Sequence, residues 1–284
     1  MRKKQVALVA LTFAILIFTI KLFAYFISNS VALLSDALES IVNISASGLM
    51  YFSVCVSERA PDSGHKYGHQ KIEDISSLLE GLFIVIAALF IIIAAVERLF
   101  EPINLLELNL AIVISIMATA LNAGLSLFLG SKAKEIGSSA LEGDAKHLLS
   151  DVISSIGVWI GLFITQLTGL DFIDSIMGLI VAVIIVRMGG GLIVKASNRL
   201  MDQSCGKEEK MIMETLKDHQ FHFMDFHDLR TRRSGNQVFA ELHLSIDGSL
   251  SVKEAHDLTD HLEEELKEKL PTINITIHVE PPQK

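Results

Sequence analysis

The stretch Gly143-Asp144-Ala145-Lys146-His147-Leu148-Leu149-Ser150-Asp151-Val152 decides the fold, because it opens an apolar run of membrane-spanning length and carries ionisable groups into it. At 3.6 residues per turn, His147 and Asp151 lie one turn apart on one helix face, and Asp144 lies one turn before His147. A charged side chain near the bilayer centre costs about 2.5–3.5 kcal/mol even on the lenient insertion scale. Two explanations fit such a pair: a hydrogen bond that packs helices together, or a site for a cation or a proton.

The whole chain has the same contrast. Half of its 284 residues are hydrophobic, yet it holds 33 acidic and 24 basic residues. Both facts hold only if apolar and charged residues are segregated: residues 1 to 195 are dominated by long apolar runs, 196 to 206 lose that pattern, and 207 to 284 read as water-soluble. The expected architecture is therefore an α-helical polytopic membrane domain, a linker, and a C-terminal α+β domain. The formal net charge is −9, and the tail alone has 10 Lys/Arg against 16 Asp/Glu, so nucleic acid is an unsuitable partner and cations are suitable ones. Cys55 and Cys205 form no CxxC and suggest neither a disulfide framework nor a thiolate zinc site.

Six transmembrane helices are expected, at about 6–27, 31–56, 76–97, 108–130, 147–167 and 172–194. The first follows Met1-Arg2-Lys3-Lys4 and is too long for a signal-peptide core, so it reads as a retained span. Arg2, Lys3, Lys4, Arg59, Lys66, Lys71, Lys132, Lys134 and Lys146 fall on the side of the N-terminus and Arg98 on the other. The positive-inside rule then makes both termini cytoplasmic. Spans three and four, Leu78 to Ala95 and Leu110 to Leu129, read as nearly free of charge and turned towards lipid or packing partners. Lys21 in span one reads as snorkelling or pairing with an acid. Gly189-Gly190-Gly191 has no following Lys-Ser/Thr, which argues against a phosphate loop.

In the tail, Lys207 to His219 reads as an amphipathic helix. Phe226 to Thr231 and Val238 to Ile246 read as strands joined by Ser234-Gly235-Asn236. Ser251 and Glu254 form a capping box opening a helix striped by Leu258, Leu262, Leu266 and Leu270. Pro271 stops that helix, and Ile273 to Val279 is a last strand. The order is αββαβ, and a domain of this size gains from dimerisation.

Three constellations could carry chemistry. In span two, Glu39 and Asn43 repeat the i,i+4 spacing of His147 and Asp151, with Asp36 one turn before Glu39. Two such helices can bring four nitrogen and oxygen ligands around one ion, a donor set suited to Zn²⁺ and to Mn²⁺ or Fe²⁺. In the following loop, Asp62, His65 and His69 place a carboxylate and two imidazoles within eight residues, close enough to share an ion. The tail holds seven of the ten histidines, His219, His222, His227, His243, His256, His261 and His278, with Glu280 two residues beyond the last and on the same strand face.

These residues resemble the cation diffusion facilitator family of divalent-metal/proton antiporters, and most closely its bacterial zinc and iron branch. The resemblance is carried by Ser30-Val31-Ala32-Leu33-Leu34-Ser35-Asp36-Ala37, by His65-Lys66-Tyr67-Gly68-His69, by the His147/Asp151 pair, by His227-Asp228-Leu229-Arg230-Thr231-Arg232, and by Ile277-His278-Val279-Glu280-Pro281. It implies a homodimer in the inner membrane, not an enzyme, with a metallochaperone-like cytoplasmic domain. It implies Glu39, Asn43, His147 and Asp151 as the transport site, and Asp62, His65 and His69 as a loop site. It also implies His227, His243, His256, His278 and Glu280 as a metal site at the cytoplasmic dimer interface, and Lys71 with Asp202 as a charge interlock between subunits. The branch has two aspartates in span two where this chain has Glu39 and Asn43, so Asp36 or Asp144 is expected as an auxiliary acid. The expected cargo is Zn²⁺, with Fe²⁺, Mn²⁺, Co²⁺ and Cd²⁺ as alternatives, exchanged for protons because metal and proton compete for imidazole, whose reference pKa is about 6.5. A membrane-anchored metal sensor is the competing reading. An intramembrane metalloprotease finds no HExxH.

Overall fold

The computed structural model describes residues 2–28, 31–100, 109–168 and 172–282; inside the helices some side chains, those of Asp36 and Glu39 among them, lie outside the described residues. The chain divides into two compact units, Met1–Ser197 and Asn198–Lys284.

The first unit consists of six long helices, α1 (Lys3–Ser28), α2 (Val31–Ser57), α3 (Ile72–Phe100), α4 (Asn109–Ile136), α5 (Ser139–Thr168) and α6 (Phe172–Leu200), the last running just past the boundary. Among the described residues, three windows are long and apolar enough to cross a membrane: Lys3–Phe23, Ile72–Glu97 and Ser175–Leu200. Helices α2 and α5 carry the polar groups that their sequences foretell. Apolar side chains offer little driving force between helices in lipid, so close approach of small residues and interhelical hydrogen bonds hold such a bundle. One core joins α1, α2, α4 and α5 through Ala7, Ala10, Met50, Leu129, Leu141 and Ala145. A second joins α3 and α6 through Ile84, Ala88, Val181, Ile185 and Leu192.

Gly81 of α3 and Gly189 of α6 face each other in that second core. A Cβ on Gly81 would meet Ile193 Cγ1 at 2.8 Å and the Gly189 carbonyl at 3.1 Å, and one on Gly189 would meet the Gly81 carbonyl at 3.0 Å. The three-glycine run thus lies inside α6, where Gly189 lets two backbones touch. Lys21 is buried, so it does not snorkel outward as a lone apolar-helix lysine would.

The second unit has the order α7 (Gly206–Asp218), β1 (Asp225–Ser234), β2 (Gln237–Ser245), α8 (Val252–Lys269) and β3 (Ile273–Glu280), the αββαβ pattern read from the sequence. The sheet order is β1-β2-β3, with β1 and β2 antiparallel and β2 and β3 parallel. A two-residue turn, Gly235-Asn236, joins the hairpin, with Gly235 at φ +59° supplying the left-handed residue it needs. The parallel pairing of β3 requires a crossover, and α8 provides it. Ala240, Leu242 and Leu244 alternate onto one sheet face and pack with Ile212 and Leu216 of α7, Leu262 and Leu266 of α8, and Ile273 and Ile275 of β3. Burying each such leucine or isoleucine contributes about 1.5–3 kcal/mol. Phe239, Glu241 and His243 are thereby turned to the face without helices.

Helix α8 begins with the expected capping box. The Ser251 hydroxyl accepts from the Glu254 backbone N–H at 3.3 Å, and the Glu254 carboxylate accepts from the Ser251 backbone N–H at 2.8 Å. The Ser251 hydroxyl, donating at 2.7 Å, and then its backbone N–H hold the Glu254 carboxyl below the ordinary value of 4.5.

Gly81→Val overpacks the α3/α6 contact and should cost about 1–3 kcal/mol, lowering the melting temperature of the detergent-solubilised chain. Gly190→Ala, which meets nothing within 4 Å, should leave that temperature unchanged. In the tail, Ser251→Ala should destabilise α8 by about 1 kcal/mol. Because the folded-state pKa of Glu254 lies below its unfolded value of 4.5, its stabilisation is present above pH 4.5 and lost as pH falls through the depressed value. Glu254→Gln should flatten that acid limb in melts followed by circular dichroism.

Candidate metal centres

Helices α2 and α5 bring Asn43, His147 and Asp151 together. The Asn43 amide nitrogen donates to Asp151 Oδ2 at 2.8 Å, and His147 Nε2 lies 3.1 Å from the Asn43 amide oxygen. An amide oxygen only accepts, so the imidazole donates through Nε2–H, and a carboxylate only accepts, so the amide must donate to it. The result is a one-directional chain, His147 to Asn43 to Asp151, in which Asn43 and His147 are buried. A cation taking the place of the Nε2 proton would find imidazole nitrogen, amide oxygen and carboxylate oxygen within one small volume. The side chain of Glu39 lies outside the described residues, as does that of Asp36.

Asp144 occupies a second polar level. It is fully buried and accepts from the Ser47 hydroxyl at 3.0 and 3.2 Å. Ser47 is one turn beyond Asn43, as Asp144 is one turn before His147, so the two levels repeat along the same pair of helices.

Helix α3 departs from the sequence reading. The run Leu78 to Ala95 is not a charge-free surface: it contains Glu80, which is fully buried, and neither of its carboxylate oxygens has a hydrogen-bond partner among the described residues. A Cβ on Gly143 of α5 would lie 2.9 Å from Glu80 Cγ, so α3 and α5 touch beside Asp144. Two turns earlier, buried Glu73 accepts from Ser57 at 2.5 Å, from Lys3 at 2.6 Å and from Ser138. Average hydropathy hid these acids. The seven-residue step from Glu73 to Glu80, with Ser76 and Ser77 between, was the signal of a polar helical face.

The loop after α2 gathers its three expected residues. Asp62 Oδ1 lies 3.3 Å from His65 Nδ1, Asp62 Oδ2 lies 3.2 Å from His69 Nε2, and the two rings are 4.5 Å apart. Backbone N–H groups of His65 and Gly64 donate to Asp62 at 2.7 and 2.9 Å and fix its orientation. The His65 backbone bond is the main reason that the Asp62 carboxyl is held below the usual carboxylate range. The acid therefore stays ionised wherever the imidazoles can give up a proton to a metal.

In the tail, the strand register lines up His227, His243 and His278: His227 pairs with His243, His243 with His278, and Ser245 with Glu280. A bulge between His227 and Arg230, with Asp228 at φ +53°, sets the first of these pairings. Glu280 spans two rings, 3.3 Å from His227 Nε2 and 3.4 Å from His243 Nδ1. His227, His243 and Glu280 thus present three ligand atoms within 4.8 Å of one another, and the His278 ring is centred 4.8 Å from that of His243. His256 faces Asp260 on its own helix at 3.4 Å. Asp202 lies 3.9 Å from Arg232, while Lys71 belongs to the first unit.

A third group joins the two tail helices. His219, His261 and Glu265 also place one ligand atom each within 4.8 Å of one another. No local pattern groups residues 42 positions apart.

Buried imidazole, amide and carboxylate inside a helical bundle, with histidine-rich groups outside it, define the class as a membrane carrier of cations. Residues 7–201 match the family model of the cation efflux transmembrane domain, and residues 206–282 match that of the cation efflux protein cytoplasmic domain. The chain belongs to the cation efflux, or cation diffusion facilitator, family: it is a membrane-spanning cation efflux transporter and not an enzyme. It is 36% identical over 263 residues to the uncharacterized transporter sll1263 of Synechocystis sp., covering 92% of this chain and 85% of that one. It is 30% identical over 275 residues to the cation-efflux pump FieF of Pectobacterium atrosepticum, covering 97% and 91%. A solved metal-bound C-terminal domain of the CzcD transporter from Thermotoga maritima is 34% identical and covers 26% of this chain and 87% of that one, at a TM-score of 0.25.

The strand-face group makes a direct prediction. Glu280→Gln removes the charge that spans His227 and His243, so zinc titration of the full-length chain should show at least a tenfold loss of affinity for that set. Unchanged binding would remove these residues from the list of ligands.

Proposed function

We propose that this chain is a homodimeric exporter of a divalent transition metal, Zn²⁺ first among them, driven by protons moving the other way. Residues 1–195 form the transport domain, 196–206 the linker and 207–284 the cytoplasmic domain. The transport site comprises Glu39, Asn43, His147 and Asp151, with Asp144 and Asp36 as auxiliary acids. The observation that carries this reading is the His147–Asn43–Asp151 chain, buried at His147 and Asn43, whose Nε2 proton sits where a metal ion would bind. When the ring is imidazolium, protonated on both nitrogens, a metal ion arriving at Nε2 displaces that proton to water and leaves the other on Nδ1, so proton and metal exclude each other at one atom, which is the minimum requirement for antiport.

The other groups have supporting parts. Asp62, His65 and His69 hold a metal ion at the loop, and His227, His243, His256, His278 and Glu280 hold the regulatory metal of the cytoplasmic domain. Lys71 and Asp202 form the interlock between the two copies of the dimer. The protein lies in the inner membrane with both termini cytoplasmic, in keeping with the basic residues on that side. Among them, Lys3 is anchored on Glu73, and Lys146 pairs with Glu142 at 3.3 Å.

Asn43 bears on selectivity. An aspartate there would face Asp151 as a second carboxylate and could not donate to it, so an ion or a proton would be needed between them. The amide needs neither. In proteoliposomes under a pH gradient, His147→Ala and Asp151→Ala should each abolish Zn²⁺ flux. Asn43→Asp should retain flux, raise Zn²⁺ affinity and add a proton to the exchange, read from the reversal gradient. Undiminished flux in both His147→Ala and Asp151→Ala overturns the antiporter.

A further inference from the structure

We infer that His219, His261 and Glu265 form a separate divalent-metal site that staples α7 to α8 on the helix-covered side of the cytoplasmic sheet. It differs in place from the strand-face group. Leu242 and Leu244 point to the helices, so His243 points to the opposite face of the sheet, and the two groups are separated by the thickness of the core.

The argument begins with the His219 ring. Its Nδ1 lies 3.0 Å from the Thr215 carbonyl oxygen. A carbonyl oxygen only accepts, so Nδ1 carries the hydrogen, and the remaining lone pair of the neutral ring is at Nε2. That atom lies 2.9 Å from Glu265 Oε2. A lone pair facing a carboxylate oxygen at this distance needs a cation between them, either a proton on Nε2 or a metal ion. Backbone anchoring of the distal ring nitrogen is also the arrangement that orients metal-binding histidines.

Glu265 is prepared in the same way. Lys269 holds its Oε1 at 2.8 Å and is itself tied to the Thr215 hydroxyl at 3.0 Å, which leaves Oε2 to face His219. His261 and Glu265 are i and i+4 on α8, one turn apart on the same face. The His261 ring packs edge-on against that of His219 with centroids 5.4 Å apart.

Two imidazoles and a carboxylate are a borderline donor set that suits Zn²⁺, leaving a fourth position for water or for His222, whose ring centroid is 6.3 Å from that of His219. Tetrahedral zinc with bonds of about 2.0–2.1 Å would hold nitrogen and oxygen about 3.3 Å apart. The His219–Glu265 pair therefore opens by a few tenths of an ångström when metal replaces the proton, which rotation of the half-exposed Glu265 side chain supplies. The site depends on no property of the transport cluster.

The test uses the full-length protein in detergent, titrated with Zn²⁺ against a chromophoric chelator and with Co²⁺ followed by its visible absorption. His261→Ala and Glu265→Gln change side chains at the surface of α8 and should leave circular dichroism and dimer elution unchanged. Each should remove one Zn²⁺ site per chain, or weaken it at least tenfold, both in the wild-type background and in Glu280→Gln. The four-coordinate Co²⁺ band assigned to that site should disappear with it. Unchanged stoichiometry and affinity in both variants would overturn the site and show the group to be a histidine–glutamate ion pair. Because His147→Ala tests transport separately, failure here leaves the antiport reading standing.

Discussion

The approach of α2 to α5 in the membrane unit depends on polar groups that find their partners across the two helices. Asn43 does so in both directions at once, accepting from His147 and donating to Asp151. One turn further along, Ser47 donates to Asp144. These bonds set how closely α2 and α5 approach and at what rotation, because neither helix can turn without exposing an unpaired donor or acceptor to the core. Packing and site geometry are here one arrangement.

The soluble unit was readable almost element by element. Its capping box, its Gly235-Asn236 turn and the alternation of Ala240, Leu242 and Leu244 are local patterns, and local patterns survive in a single sequence. The pair His147 and Asp151 was equally legible, because an acid and an imidazole in an apolar helix are conspicuous. What escaped was decided by contacts between helices. Glu80 is one acid in a long apolar run, and only the close approach of α3 at Gly143 places it beside Asp144. His219 and His261 became a pair only when α7 and α8 were laid across the same sheet.

The candidate groups also differ in how firmly the fold holds their ligands. On α2 and α5 the three side chains bond to one another within a buried space, so a cation must replace a bond that already exists. At the loop, Asp62 is fixed by backbone N–H groups while His65 remains largely exposed, an open arrangement suited to ready exchange. On the sheet, the backbone ladder itself spaces the rings. A chain of hydrogen bonds between helices, an open turn and a rigid ladder hold their side chains with three different degrees of constraint.

The bulge in β1 has a consequence for what this sequence can tolerate. Counting back residue for residue from the pair Arg230 and Glu241, with no bulge to absorb one, would set position 227 opposite Leu244 instead of His243. The imidazole would then enter the leucine-lined side of the sheet, and the row of rings would lose its first member. Deletion of Asp228 or Leu229 would remove the extra residue and leave His227 opposite His243 in a regular ladder, whereas closing the bulge with both residues kept turns His227 to the other side of the sheet. At this point the bulge itself, by absorbing one residue, decides the face on which His227 lies.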